Sequence, residues 1–155
     1  MLILKVMHIL SMFSAVTIVI GQMLLLALAI RRRDIAALAA IHRLTGGMRS
    51  TLIGAVFFWS GVVFGLLTAV TGGIDFFKGW LIAAYVLVAV LVLSDGSPIT
   101  RAMLRIEREA VEAEAGQRPA EEVLRHMASA PALVGVAIPV TIVAAIIVDM
   151  VVKPF

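Results

Sequence analysis

Four long apolar runs divide this chain, and each has the length of one membrane crossing. The runs occupy about residues 2–30, 51–70, 74–93 and 132–152. A bilayer has a hydrocarbon core of about 30 Å, which a helix crosses with roughly 20 apolar residues. The pattern therefore predicts an all-α polytopic membrane protein of one domain, with four transmembrane helices (spans one to four) in an antiparallel bundle.

Composition excludes a water-soluble globular protein. The 155 residues are 62% hydrophobic and 15% charged, whereas soluble domains have about 45–50% apolar and about 25% charged residues. Cysteine is absent, which excludes disulfides, thiol catalysis, iron–sulfur clusters and cysteine zinc sites. Span one has no basic segment before it and no A-x-A site at its end, so we expect a retained span and not a signal peptide.

The basic residues predict an orientation. Loop one (31–49) and loop three (94–130) contain all ten arginines, and the other side of the predicted bundle holds only the three lysines Lys5, Lys78 and Lys153. By the positive-inside rule, we expect both loops in the cytoplasm and both termini outside the inner membrane of a bacterium. The arginines form no basic stripe with interleaved aromatic residues, so nucleic acid is not an expected partner.

The connections differ in length. The short segment 71–73 predicts that spans two and three are antiparallel neighbours, and Gly46 and Gly47 predict a turn. In loop three, Ser97 and Pro98 are typical of a helix start, and apolar residues then recur at helical spacing as far as a stop at Gly116. This amphipathic helical segment either docks a soluble or membrane partner or lies as a hairpin on the lipid headgroups. We favour the hairpin.

Two spans carry distinctive faces. Span one has a polar stripe that should face the other spans because polar groups are costly in lipid; it contains Lys5, His8, Ser11 and Gln22. Span two has a stripe of small residues that favours close helix packing; it contains Ser50, Gly54, Gly61, Gly65, Thr68 and Gly72. We expect the second stripe to pack inside the bundle, with a homo-oligomer or a membrane-complex partner as the alternative. Pro139 predicts a kink in span four.

His8 is the residue that most suggests chemistry. At about 1.5 Å per residue, His8 and Asp149 lie at similar depths on the outer side. His8 could form a structural polar pair with Asp149, ligate a haem b, join Met12 in a copper site, or act in a proton relay. No catalytic motif and no other metal site is present, so we do not expect an enzyme. His42 and His126 fall in the loops, and we expect His42 at the surface.

The segment from Leu4 to Leu10, with its K-x-x-H element, and the later Gly79-Trp80-Leu81 carry a resemblance. The chain resembles a bacterial family of four-span integral membrane proteins of unknown function. It is similar, more distantly, to membrane protoporphyrinogen oxidases that bind haem b and to copper-resistance D type membrane domains. The resemblance implies that His8 matches the haem-ligand histidine of those oxidases. The oxidases place a lysine where this chain has Ala84, so we favour the family of unknown function.

These observations lead to three functional hypotheses. The first is a non-catalytic accessory or assembly component of the inner membrane, which contacts a partner through span two or loop three. The second is a membrane redox protein that binds haem b or copper through His8. The third is a small transporter or channel.

Overall fold

Helices account for all of the regular structure in the part of the chain that the structure describes. The computed structural model describes residues 1–45, 48–94 and 97–153, so the turn predicted at Gly46 and Gly47 lies outside it. Seven helices and no strands occupy these ranges, which confirms the all-α class. The helices are α1 (Leu2–Arg32), α2 (Ile35–Thr45), α3 (Met48–Thr71), α4 (Gly79–Ser94), α5 (Pro98–Glu114), α6 (Ala120–Met127) and α7 (Ala130–Val152).

Three of these helices are long and apolar enough to cross a membrane alone: α1, α3 and α7. The number of candidate spans rises to four if α4 and α5, whose axes differ by 44°, count as one bent span. With 16 residues, α4 rises about 24 Å, which is less than the hydrocarbon core. It begins five residues later than predicted because Asp75 forms a turn, in which its Oδ1 accepts a hydrogen bond of 2.9 Å from the amide of Phe77.

The four longest apolar helices are arranged as a row. In this row α1 lies between α3 and α7, and α4 packs on the other side of α7. The prediction that spans two and three are packed neighbours is therefore wrong, since the described residues of α3 and α4 hardly touch. The connection between them runs over residues 72–78. Seven residues can reach about 23 Å, which is far enough to carry the chain past its neighbouring helices.

The two ends of the row differ in character. At the terminal end, the first residue lies beside the last turn of α3, and Lys153 Nζ lies 5.1 Å from the ring centroid of Trp80. At the opposite end, α2, α5 and α6 pack together under the last turn of α1 and the first turn of α7. We call α2, α5 and α6 the three-helix cap. Loops one and three therefore lie at the same end of the molecule, as predicted.

The largest buried core of the protein belongs to the cap end. Fully buried side chains there come from five helices, α1, α2, α5, α6 and α7, and the largest are Leu26, Leu38, Val123 and Met127. Within this core α5 packs on both α2 and α6, and the placement of this hairpin on the headgroups stays a prediction. The predicted start of α5 is confirmed: the Oγ of Ser97 accepts a hydrogen bond of 3.2 Å from the amide of Thr100. Gly116, with φ of +73°, follows its end.

Pro139 lies inside α7, which continues as helix to Val152. Proline removes one intrahelical hydrogen bond. The hydroxyl of Thr141 donates a hydrogen bond of 2.9 Å to the carbonyl of Ala137 nearby. The predicted kink remains a prediction.

Candidate functional site

His8 lies in the contact between α1 and α3. Its Nδ1 is 2.7 Å from the carbonyl oxygen of Gly61. A carbonyl oxygen can only accept, so Nδ1 carries the proton and donates it, which leaves Nε2 as the nitrogen with a free lone pair. A Cβ added at Gly65 would lie 2.9 Å from two atoms of the imidazole ring. Gly65 therefore makes the space in which the ring sits.

The small-residue stripe of α3 faces α1 along its length. A Cβ at Gly61 would lie 2.9 Å from Cγ of Met12, and one at Gly54 would lie 3.7 Å from Ile18. Thr68 donates its hydroxyl proton to the carbonyl of Phe64 in its own helix. Within the chain, α1 thus occupies the surface that the glycines open; the side chain of Ser50 lies outside the described residues.

The other polar residues of α1 do not share one environment. Ser11 is buried, whereas Lys5, predicted to face the other spans, is exposed. His8 and Met12 both face α3, but the described residues include no group of three or more histidine, aspartate or glutamate side chains that could hold a metal. A ligand set built here would therefore rest on His8 and Met12 alone.

Asp149 does not pair with His8. Its residue is only 8% exposed, and its Oδ2 has no hydrogen-bond partner among the described residues. The Nδ1 of His8 instead donates its hydrogen bond to the carbonyl oxygen of Gly61. A backbone carbonyl is available to His8 because glycines bring α3 close, and sequence spacing alone does not reveal such an acceptor.

A second constellation lies in the three-helix cap, and sequence reasoning missed it. Glu107 and Glu109 of α5 are only 3% and 2% exposed. His42 Nδ1 lies 3.0 Å from Oε2 of Glu107, and His126 Nδ1 lies 2.6 Å from Oε2 of Glu109. His42 was expected at the surface; it is instead half-buried in a hydrogen bond between α2 and α5.

Helix geometry explains why the two pairs form on different sides. Residues two apart in an α-helix point in nearly opposite directions, at about 200°. Glu107 is directed at α2 and Glu109 at α6, so α5 is tied to both of its neighbours. The signal for Glu107 was present in the sequence, since it lies four residues after Met103 and three before Ala110, on the apolar face. The partner histidines gave no comparable signal.

An outer shell of ion pairs surrounds this core. Arg105 and Arg118 approach the second oxygen of Glu109 at 3.1 and 3.6 Å. Arg118 also contacts Glu112 and Glu122 at 2.9 and 2.8 Å. The hydrogen bond from Arg118 to Glu112 raises the pKa of this guanidinium. The pairs clamp the connection between α5 and α6 to both helices.

One further pair joins the two loops at the cap surface. Arg43 of α2 donates a hydrogen bond of 2.5 Å to Glu114 at the end of α5. This hydrogen bond lowers the pKa of the Glu114 carboxyl. Both side chains are exposed, so water screens the pair and its contribution to stability is small.

The polar contacts of the cap tie its helices to one another. Both buried carboxylates are held by a histidine, and Glu109 also by two arginines. The arrangement gives a rigid surface next to the apolar helices.

Long apolar helices with exposed hydrophobic side chains along their length define an integral membrane protein with several spans. The chain belongs to the family described as predicted integral membrane protein (DUF2269), whose model matches residues 2–154. This confirms the family of unknown function indicated by the K-x-x-H and G-W elements. No curated protein and no solved structure matches the chain. The similarity to haem-binding oxidases and copper-resistance domains therefore remains a prediction.

Proposed function

We propose that this protein is a non-catalytic accessory or assembly component of a bacterial inner membrane, and that its three-helix cap docks a partner protein. The observation that carries the proposal is the cap itself. Two loops far apart in sequence fold into one buried core. Its two buried acids, Glu107 and Glu109, are held by side chains of the neighbouring helices. A preformed surface binds a partner without the entropic cost of ordering a loop.

The proposed topology has four crossings. In this arrangement α4, extended by the segment before it, forms the crossing between α3 and the cap. The basic loops support a cytoplasmic cap, since all ten arginines belong to loops one and three. Both termini and the connection 72–78 then lie outside.

A groove on the cap supports docking of an acidic partner segment. It lies between α5 and the end of α6, has a volume of about 480 Å³, and is lined by Arg101, Arg105 and His126 among others. Arg105 and His126 already contact Glu109. Arg101 is exposed and forms no ion pair among the described residues, so it is the cation available to a partner.

Arg101→Glu tests this proposal with little risk to the fold. Purification of the tagged protein from its native membrane should yield a partner at fixed stoichiometry with the wild type, and Arg101→Glu should abolish its recovery. Lys78→Glu is the matched control, because it reverses an exposed charge at the terminal end. If no stoichiometric protein accompanies the wild type, or if both variants retain it equally, the proposal is wrong.

A second candidate function is binding of haem b or copper through His8. One observation favours it: donation from Nδ1 to a backbone carbonyl fixes the ring and leaves Nε2 free, which is the arrangement that supports metal-ligating histidines. Met12 could add a thioether, a ligand that suits Cu(I). Visible spectra and copper content of wild type and His8→Ala test this function. A protein that is colourless and copper-free after expression with excess haem and copper would exclude it.

A further inference from the structure

A second groove lies between the last turns of α1 and the first half of α7. Its volume is about 430 Å³, which is within the range of small-molecule sites. The apolar walls come from both helices and include Ala27, Ile30, Leu133, Val136 and Ala137; the end of α6 adds Met127 and Ala128. The α1 and α7 walls belong to the two helices with the strongest membrane-spanning character, which suits a groove that opens to lipid.

Two arginines stand at the cap-side rim of this groove. Arg31 and Arg33 line it and are exposed, and neither forms an ion pair among the described residues. Arg32 lies between them in sequence but does not line the groove. The groove thus joins an apolar trough to two positive charges at the depth where the helix leaves the hydrocarbon.

The backbone conformation of Arg33 is unfavourable for a residue with a side chain, which points to a role for its guanidinium. Arg33 terminates α1 with φ of +53°, in the left-handed region that favours glycine. A residue with a side chain is less stable than glycine in this conformation. Arginine therefore occupies a position where glycine would be more stable, and that position places a guanidinium at the groove.

We propose that the groove binds an anionic phospholipid. One acyl chain lies against the α1 and α7 walls, and the phosphate is bound by Arg31 and Arg33. Guanidinium groups bind phosphate oxygens with geometrically matched hydrogen bonds, and basic pockets between transmembrane helices bind anionic headgroups. This groove shares no lining residue with the cap groove proposed to dock a partner, so each proposal can fail alone.

The headgroup arm of the test uses the three consecutive arginines. Purified protein is exchanged into mixed phosphatidylglycerol and phosphatidylethanolamine at known ratios, and bound lipid is counted by native mass spectrometry. Arg31→Gln and Arg33→Gly should each weaken phosphatidylglycerol binding about tenfold, the loss of one charge-assisted hydrogen bond. Arg32→Gln removes the same charge outside the groove and should change binding less than about twofold, because its side chain does not line the phosphate site.

The second part of the test blocks the proposed acyl-chain site with a larger side chain. Ala137 is exposed within the groove, so Ala137→Phe should occupy the space of the chain and lower phosphatidylglycerol retention while the protein stays folded. Val148→Phe, on an exposed part of α7 outside the groove, is its control. Arg33→Gly should stay folded, since glycine favours the left-handed backbone at this residue. A loss of binding in this variant is therefore due to the missing guanidinium.

Three results would overturn the proposal. Equal losses in all three arginine variants would mean that phosphatidylglycerol is attracted by general charge. Retention unaffected by Ala137→Phe would exclude the acyl chain from the groove. Equal occupancy by phosphatidylethanolamine in the wild type would remove the anionic headgroup from recognition.

Discussion

The buried carboxylates of α5 stabilise the cap only while their polar partners are present. Taking a charge out of water costs several kcal/mol, and the partner offsets this cost through the ion pair and its hydrogen bond. Glu107 depends more on its histidine than Glu109 does, because among the described residues His42 is the partner found for it. Glu109 has a histidine and two arginines, so losing one of them leaves it partly compensated.

His42→Ala should therefore strongly destabilise the cap. The substitution leaves Glu107 buried without the hydrogen bond to His42, at a cost of about 2–3 kcal/mol in the free energy of unfolding. Urea unfolding of the detergent-solubilised protein measures this loss. Arg43→Ala is the matched control, since the neighbouring residue forms an exposed pair and should leave the free energy almost unchanged. Equal effects of the two variants would show that the His42–Glu107 pair does not stabilise the cap.

The pH response of the exposed pair has a definite sign. Hydrogen bonding to Arg43 lowers the pKa of Glu114, so the folded state releases this proton more readily than the unfolded state. The contribution of the pair to stability is present above the ordinary glutamate pKa and is lost as pH falls through the lowered value. Carbon NMR of the Glu114 carboxylate should give a midpoint below that of a free glutamate. Arg43→Ala should return the midpoint to the ordinary range.

At the scale of the helices, the contact between α1 and α3 depends on which glycines meet a side chain. Gly61 and Gly65 meet Met12 and His8 at distances that leave no space for a methyl group, whereas Gly54 meets Ile18 at an ordinary contact distance. The three glycines look equivalent in sequence. In the structure the three glycines differ in the α1 side chain that each one faces.

Gly65→Ala and Gly54→Ala should therefore have opposite effects. Alanine favours a helix over glycine by about 1 kcal/mol, and Gly54→Ala should show much of this gain. At residue 65 the methyl group would press on the imidazole of His8, and overpacking costs about 1–3 kcal/mol. Thermal melts in detergent should show Gly65→Ala below the wild type and Gly54→Ala at or above it. Restoration of Gly65→Ala by His8→Ala would assign the loss to this contact.

The sequence predicted where the helices lie better than it predicted which helices pack against each other. Apolar length and the Ser97 start placed most of the elements, because these signals depend on neighbouring residues. The pairing of α2 with α5 depends on residues about 65 positions apart, such as His42 and Glu107. Asp75 shortened α4 through a local turn, and its carboxylate could have been recognised as a turn former. The Gly61 carbonyl that accepts from His8 has no sequence signature at all.

At the scale of the whole molecule, burial is uneven. The core cluster gathers at the cap end, while the long helices carry many exposed hydrophobic side chains toward the terminal end. Such a surface is unstable in water and suited to lipid. An open row of helices buries less of itself than a closed bundle, so the membrane must cover the remainder. The closed bundle predicted from four apolar runs assumed that consecutive spans pack on each other, which α3 and α4 do not.

The two ends of the row should lie on opposite sides of the membrane. Gln117 and Phe77 are exposed at the cap end and the terminal end respectively, and the chain has no cysteine of its own to add background. In intact cells whose outer membrane is permeabilised, an impermeant maleimide should label Phe77→Cys, and should label Gln117→Cys only after the inner membrane is broken. Labelling of both from the same side would mean that α4 does not cross, because an odd number of crossings between residues 77 and 117 requires that helix. The reversed pattern would keep the crossing and place the arginine-rich cap outside, against the positive-inside rule.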